Sequence, residues 1–318
     1  MMKYILGVDL GGTNVKIGIS DYSFKLYKFF TVSVQEFATP CKGIFYIQKL
    51  LQELGRYKFS VLGFGFPGLV NYKKGFINYL VNIKGWEDVA WAKQLKRKLR
   101  MPVFLDNDVN VAALAEYYLG RGKGSKNMLM ITLGTGVGGG LILNGKIYRG
   151  SSFSAGEIGH FPLGLTGPKC NCGGIACLES YIGNKKLISQ INSPSFYSRS
   201  KLLTEIHKKK GKLSLEDITL AGRKADSVAV QFWEEVAFKL GQIIVGVINL
   251  LDLDRVIIGG GIGKSGKLLL QPLRKFVKNR AMKIQAENVK IFNAGLGNKA
   301  GVQGASILAY FGLKNKQI

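Results

Sequence analysis

The chain has 318 residues, 47% of them hydrophobic, with 42 glycines, only two histidines and four cysteines, and a formal net charge of +25. This length supports two domains with cores of their own, and no apolar run reaches the roughly 18 residues that would span a bilayer, so no membrane partner is expected. The lysines are scattered over expected helix faces, and the dense spots at 93–98 and 208–210 read as solvated surface, so no nucleic-acid partner is expected. Tyr4–Asp9 is a short apolar run bounded by glycine and reads as a strand. It begins close to the first residue, and no signal peptide is expected ahead of it. Leu10-Gly-Gly-Thr-Asn14 is a tight turn and Val15–Ile19 a returning strand. Ile44, Ile47, Leu50, Leu51 and Leu54 have helical spacing within 42–55. Val61–Phe66 is a strand ending at Pro67-Gly68. A helix over 88–99 stops before Pro102, and Val103–Leu105 is a strand ended by Asp106-Asn107-Asp108. An alanine-rich helix follows over 109–119. Met128–Leu133, a turn over 134–139 and Gly140–Leu143 repeat the opening hairpin. The chain is then helical over roughly 179–250, with breaks near 193 and 211. Arg255–Ile258 is a strand leading into Gly259–Gly261, and 302–310 is the last helix. The apolar stretch Phe238–Leu253 reads as core or as part of an interface.

Residues 156–179, GEIGHFPLGLTGPKCNCGGIACLE, hold one of the two histidines and three of the four cysteines. His160, Cys170, Cys172 and Cys177 form a Cys3His set, a standard closed tetrahedral shell for structural Zn2+. Gly164, Gly167, Gly173 and Gly174 let the segment fold back on one ion. Cysteines clustered for metal rather than paired in disulfides point to a reducing, cytoplasmic setting. Glu157 and Glu179 flank the loop and can be held rigidly against a polyhydroxylated ligand. His207 lies in a lysine-rich segment and is expected on an exposed helix face.

The two glycine turns, VDLGGTNVKIGI and ITLGTGVGGGLIL, form a weak internal repeat. Successive N–H groups in such turns cradle phosphate oxygens. Two of them about a domain apart suggest two related domains gripping one polyphosphate across a cleft. Neither is a Walker A sequence, and neither opens a helix as a dinucleotide-binding turn does.

These motifs resemble the ROK-family sugar kinases, of the acetate and sugar kinase, heat-shock ATPase and actin superfamily, nearly end to end. DLGGTNVKIGI resembles the first phosphate motif, LGTGVGGGLILNGKI the second, and GGGIG at 259–263 the adenosine motif. DNDVNVAALAE resembles the catalytic segment, and GEIGH with CNCGGIACLE the zinc-and-sugar signature. One departure is Ala176, where the family usually has glycine; it is neutral unless the position needs a positive φ.

The resemblance implies an α/β, two-domain actin-like (ribonuclease H-like) ATPase fold with an interdomain cleft and a zinc-binding loop. The expected domains are a small one over 1–117, with a C-terminal helix at 303–318 packing back on it, and a large one over 118–302. Sugar would bind between them, with closure excluding water. It implies transfer of the γ-phosphoryl group of ATP to a hexose, glucose first, with other hexoses or a sugar-responsive regulator as alternatives. Such regulators carry a helix-turn-helix domain ahead of the kinase-like fold, and none is expected before a strand that starts by Lys3. Asp108 is the implied general base, against the alternative of a helix N-cap. Gly68, Asn82, Asn107, Glu157, His160 and Glu179 would complete the sugar site. Asp9 would hold Mg2+ through water. Gly11, Gly12, Thr13, Asn14, Gly134, Thr135, Gly136, Gly138, Gly260 and Gly261 would contact nucleotide, while Lys16 faces either phosphate or solvent. His160 would give one ring nitrogen to zinc and the other to sugar, so that apo protein loses sugar binding before nucleotide binding. A homodimer is the implied assembly.

Overall fold

The computed structural model describes residues 3–81, 83–316 and 318. Asn82, expected in the sugar site, lies outside them. The chain divides into two compact units: one comprises the chain up to Gly124, Gly140–Gly156 and the chain from Gly295, and the other Ser125–Gly139 and Glu157–Ala294.

In chain order the elements of the first stretch are β1 (Tyr4–Leu10), β2 (Asn14–Ser20), β3 (Leu26–Ser33) and α1 (Pro40–Glu53). Then come β4 (Phe59–Phe66), β5 (Gly68–Asn71), β6 (Phe76–Leu80), α2 (Trp91–Leu99), β7 (Val103–Asn107) and α3 (Asp108–Tyr118). They build a sheet of order β3-β2-β1-β4-β7. The first three strands are antiparallel, and β1, β4 and β7 run parallel. Strand alternation places Leu6, Val8 and Leu10 in one core with Ile47 and Leu50 of α1 and Trp91 and Leu95 of α2. The expected helix over 88–99 starts only at Trp91. Asp88 is left-handed (φ 55) and Val89 pairs as a bridge with Ile77, so neither residue can open a helix.

The second stretch contributes β8 (Met128–Leu133), β9 (Val137–Leu143), β10 (Lys146–Tyr148), α4 (Leu178–Ile182), α5 (Asn184–Ile191) and α6 (Pro194–Tyr197). It continues with α7 (Lys201–Lys210), α8 (Leu215–Arg223), α9 (Ser227–Leu251), β11 (Arg255–Gly259), α10 (Lys267–Arg280), α11 (Lys283–Asn288) and β12 (Lys290–Asn293). Its sheet has order β10-β9-β8-β11-β12, with β8, β11 and β12 parallel. The order repeats that of the first sheet strand for strand, so the weak glycine-turn repeat reflects a duplicated sheet. The helical region has three breaks more than expected, at Gly183, at 198–200 and at 224–226. Ala225 is left-handed (φ 61) and Asp226 caps α9, accepting from the Ala229 N–H at 3.0 Å. Within α9, Phe232, Trp233, Leu240, Ile244 and Ile248 are core, while Phe238 and Leu250 are exposed.

The last helix, α12 (Ala300–Leu313), belongs to the first unit. It lies so close to the first sheet that a methyl on Gly7 would run into the Val302 carbonyl, and one on Gly63 into that of Ala305. Glycine on that strand face is therefore a packing requirement, not a turn signal. No helix among the described residues is long and apolar enough to cross a membrane.

Candidate active site

In the first unit, β1 and β2 are joined by the turn Gly11–Thr13, closed by the Gly11 N–H donating to the Asn14 carbonyl at 3.0 Å. Asp9 and Lys16 are register partners across that hairpin, and Lys16 Nζ lies 3.1 Å from Asp9 Oδ2. Lys16 thus turns to a carboxylate beside the turn. Gly301, in the first turn of α12, is packed against the same carboxylate, and a methyl there would collide with it. The Asp9 carboxylate so placed, partly open and at the end of a strand, is an oxygen donor of the kind Mg2+ takes.

At the β7–α3 junction the cap is Asn107, whose Oδ1 accepts from the Val109 and Asn110 N–H groups at 2.8 and 3.2 Å. Its Nδ2 donates to the Gly68 carbonyl at 3.1 Å. Asp108 is the first residue of α3 and Oδ1 accepts from the Val109 N–H at 3.0 Å. The capping alternative considered for Asp108 therefore belongs to its neighbour. Beneath the junction lies a buried ion pair. Arg149 Nε and an Nη atom each lie 2.7 Å from Asp106 Oδ2, and the guanidinium stacks 3.9 Å over Tyr72. Asp106 Oδ1 accepts from the Asn107 N–H and from Asn110 Nδ2 at 2.8 and 2.9 Å. Asp106 opens the DND motif, but no sequence signal pointed to Arg149.

In the second unit the turn after β8 is only three residues, Gly134–Gly136, closed by the Gly134 N–H donating to the Gly136 carbonyl at 2.9 Å. Gly138 already lies in β9. Gly260 (φ 82) is pressed onto the Leu133 backbone, where no side chain fits, while Gly261 is open on its Cβ side. Beside Gly261 and Ile262 is a cavity of about 250 Å3 lined by Leu215, Thr219, Arg223 and Trp233 among others. Glu179, in α4, accepts from the Val137 N–H through Oε2 at 2.8 Å. The Asn184 N–H donates to the Gly134 carbonyl at 3.0 Å. Both ends of the turn are thereby seated on the α4–α5 segment.

His160, Cys170, Cys172 and Cys177 come together with their ligand atoms all within 4.8 Å of one another. Cys170 Sγ is 3.6 Å from His160 Nδ1, and Cys172 Sγ is 3.7 Å from Cys177 Sγ. A tetrahedral zinc with Zn–S near 2.3 Å has ligand–ligand edges of about 3.8 Å, so the set fits the ion. The fold-back is local: the Cys170 N–H donates to the Gly174 carbonyl and the Gly173 N–H (φ 91) to the Cys170 carbonyl. Burial and the neighbouring thiols push Cys177 up to about 12, while a Gly174 backbone bond and the Cys170 side chain lower Cys172. Nδ1 of His160 faces the thiols, and Nε2 lies 3.8 Å from Glu157 Oε2. Desolvation on its inner side raises Glu157 above the ordinary carboxylate value; His160 opposes this and Glu179 adds to it. His207 is not simply exposed: it is half-buried and stacks on Tyr197 at 4.1 Å.

Duplicated five-stranded sheets, each with a glycine turn after its first strand, and a zinc-binding loop define an actin-like ATPase-type α/β protein. The sequence model of the ROK family matches residues 5–311, and the chain belongs to that family. A glucokinase from Halalkalibacterium halodurans is 34% identical over 319 residues, covering 96% of this chain and 94% of that protein. The structure of a ROK family glucokinase from Streptomyces griseus, in complex with glucose and AMPPNP, superposes with a TM-score of 0.80. It is 29% identical, over 96% of this chain and 99% of that one. A xylose repressor from Caldicellulosiruptor bescii is 27% identical over 312 residues, 94% of this chain and 76% of that protein.

Proposed function

We propose that this protein is an ATP-dependent hexose kinase that phosphorylates glucose to glucose 6-phosphate. The observation that carries the reading is the bond from Val137 N–H to Glu179. It joins a carboxylate of the zinc-and-sugar signature directly to a phosphate-type glycine turn, as transfer between a sugar and a nucleotide requires. The likeness to glucokinases over nearly the whole chain supports it.

In this reading Asp108 takes the proton from the sugar hydroxyl as its oxygen attacks the γ-phosphorus and the bond to the ADP oxygen breaks. Such general-base assistance is worth about 10²–10⁴ in rate. Glu157, Glu179 and the Nε2 edge of His160 bind sugar hydroxyls, the carboxylates as acceptors. Asn107 and Gly68 hold one another; Asn107 spends Oδ1 on the helix cap and offers the sugar its remaining amide hydrogen. Asn82 completes the set. Gly11–Asn14 and Gly134–Gly136, with Gly138, receive the phosphates, and the cavity beside Gly260–Ile262 takes the base. Asp9 holds Mg2+, which neutralises phosphate charge, with Lys16 beside it. His160 and the three cysteines hold zinc as a structural ion, since four protein ligands leave no open position. The protein acts in the cytoplasm as a homodimer.

ADP release from ATP and Mg2+ across glucose, fructose, mannose, N-acetylglucosamine and N-acetylmannosamine tests the reading. Turnover is expected to be highest with glucose and to fall by at least about 10²-fold in Asp108→Asn. No turnover with any sugar in zinc-loaded protein would overturn it. The likeness to a xylose repressor favours a second reading, a sugar-responsive regulator, which specific DNA binding without turnover would establish.

A further inference from the structure

Glu179 joins two parts of the chain that lie 42 residues apart. Its Oε2 accepts the Val137 N–H, the first amide of the strand leaving the glycine turn. The same oxygen occupies the space that a side chain on Gly136 would fill, so that a methyl there would run into it. At the other end of the turn, the Asn184 N–H holds the Gly134 carbonyl. The second carboxylate oxygen, Oε1, takes no part in the Val137 bond, and the Glu179 charge is felt by Glu157. One carboxylate oxygen therefore touches the phosphate-type turn, and in the sugar-kinase reading the other is left to a sugar hydroxyl.

We infer that Glu179 couples sugar binding to the Gly134–Gly136 turn, so that the acceptor sugar and the nucleotide bind cooperatively. This rests on the sugar-kinase reading above. A sugar hydroxyl donating to Oε1 fixes the carboxylate torsion and with it the acceptor that the Val137 N–H needs. A turn settled around a phosphate holds the same carboxylate ready for the hydroxyl. Coupling of this kind is reciprocal: each ligand tightens the other by the same factor. Gly136 is glycine because the carboxylate occupies the space of its missing side chain.

The test is calorimetric titration of the zinc-loaded protein with glucose, or with the hexose the panel selects, in the absence and presence of AMPPNP and Mg2+. The native protein is expected to bind sugar at least about 5-fold more tightly with the nucleotide analogue present. Gly136→Ala pushes the carboxylate aside, and the factor is expected to fall below 2-fold while sugar affinity without nucleotide also drops. Gly246→Ala, in α9, whose added methyl meets nothing within 4 Å, controls for a glycine-to-alanine change outside the site; it is expected to keep the coupling. Should Gly136→Ala fail to fold, Glu179→Asp shortens the bridge by one methylene and is expected to abolish the coupling equally. Native coupling below 2-fold, or full coupling in Gly136→Ala or in Glu179→Asp, overturns the inference and leaves the kinase reading standing. Absence of sugar binding by the native protein overturns both.

Discussion

Ala176 departs from the family's usual loop pattern, and the structure shows what that substitution does. Its φ is 55, a left-handed conformation that costs an L-residue about 1–2 kcal/mol and glycine almost nothing. The usual glycine is therefore explained by backbone geometry, and alanine here is strained rather than neutral. The methyl is fully buried, and burial of one such group contributes about 0.8 kcal/mol in the opposite sense. The two effects nearly offset, so Ala176→Gly is expected to change stability by less than about 1 kcal/mol, with zinc content unchanged. Ala176→Val adds a branched side chain in the same conformation, next to Gly167 whose own missing methyl would sit 2.8 Å from the Ala176 Cβ. It is expected to lower the melting temperature clearly and to reduce the zinc retained on purification. Thermal melts with metal analysis on the three proteins check both outcomes. A stabilised valine variant would refute the strain argument.

At the scale of elements, the zinc-type loop is a device for starting α4. Cys177 is the N-cap residue of that helix, and Glu179 is its second residue. Without metal the loop must keep four donor groups at contact distance with no ion between them, and the thiol protons return. Chelation is therefore expected to release the start of α4, to weaken sugar binding at least about tenfold, and to abolish sugar–nucleotide coupling. Nucleotide binding in the absence of sugar should survive better, because the cavity beside Ile262 is lined by α8 and α9 and by no residue of the loop. The pH sense follows from the thiols. Burial and the neighbouring thiols raise Cys177 well above the ordinary thiol value, so zinc must displace its proton and zinc affinity falls as pH falls. Dialysis at graded pH with zinc and sugar binding measured on the same samples checks this, and parallel loss of sugar and nucleotide binding would contradict it. This loop was the most legible part of the chain, because its ligands are close in sequence and rare in composition. The strands and the two turns were also legible, since alternation and glycine punctuate them. Contacts between distant segments were not. Arg149 gives no local sign that it will pair with Asp106, and nothing in the sequence says that Glu179 will meet Val137. Gly7 and Gly63 likewise give no local sign that they make room for the close approach of α12.

At the scale of the whole molecule, 45 lysines and arginines face 20 aspartates and glutamates, so at least 25 cations have no acidic counterpart in the chain. Part of the excess has a local cause. Lys96, Arg97 and Lys98 close α2, Lys208, Lys209 and Lys210 close α7, and Lys278 and Arg280 close α10. Cations there complement the negative end of each helix dipole. Their fields nonetheless add at a distance, and a surface this positive raises the local concentration of an anion such as ATP·Mg2− while leaving a neutral hexose unaffected. The two substrates of the proposed reaction thus report on the charge differently. Screening shortens from about 10 Å at 0.1 M salt to about 3 Å at 1 M. Between about 50 and 500 mM potassium chloride, KM for ATP is expected to rise several-fold while KM for the sugar changes by less than about 2-fold. The kcat should stay nearly constant, because bound phosphates are held by short contacts that screening reaches poorly. Steady-state kinetics at fixed pH and fixed free Mg2+ make the comparison. A KM for ATP that ignores salt would show that the excess charge serves the helix ends and the surface, and plays no part in gathering nucleotide.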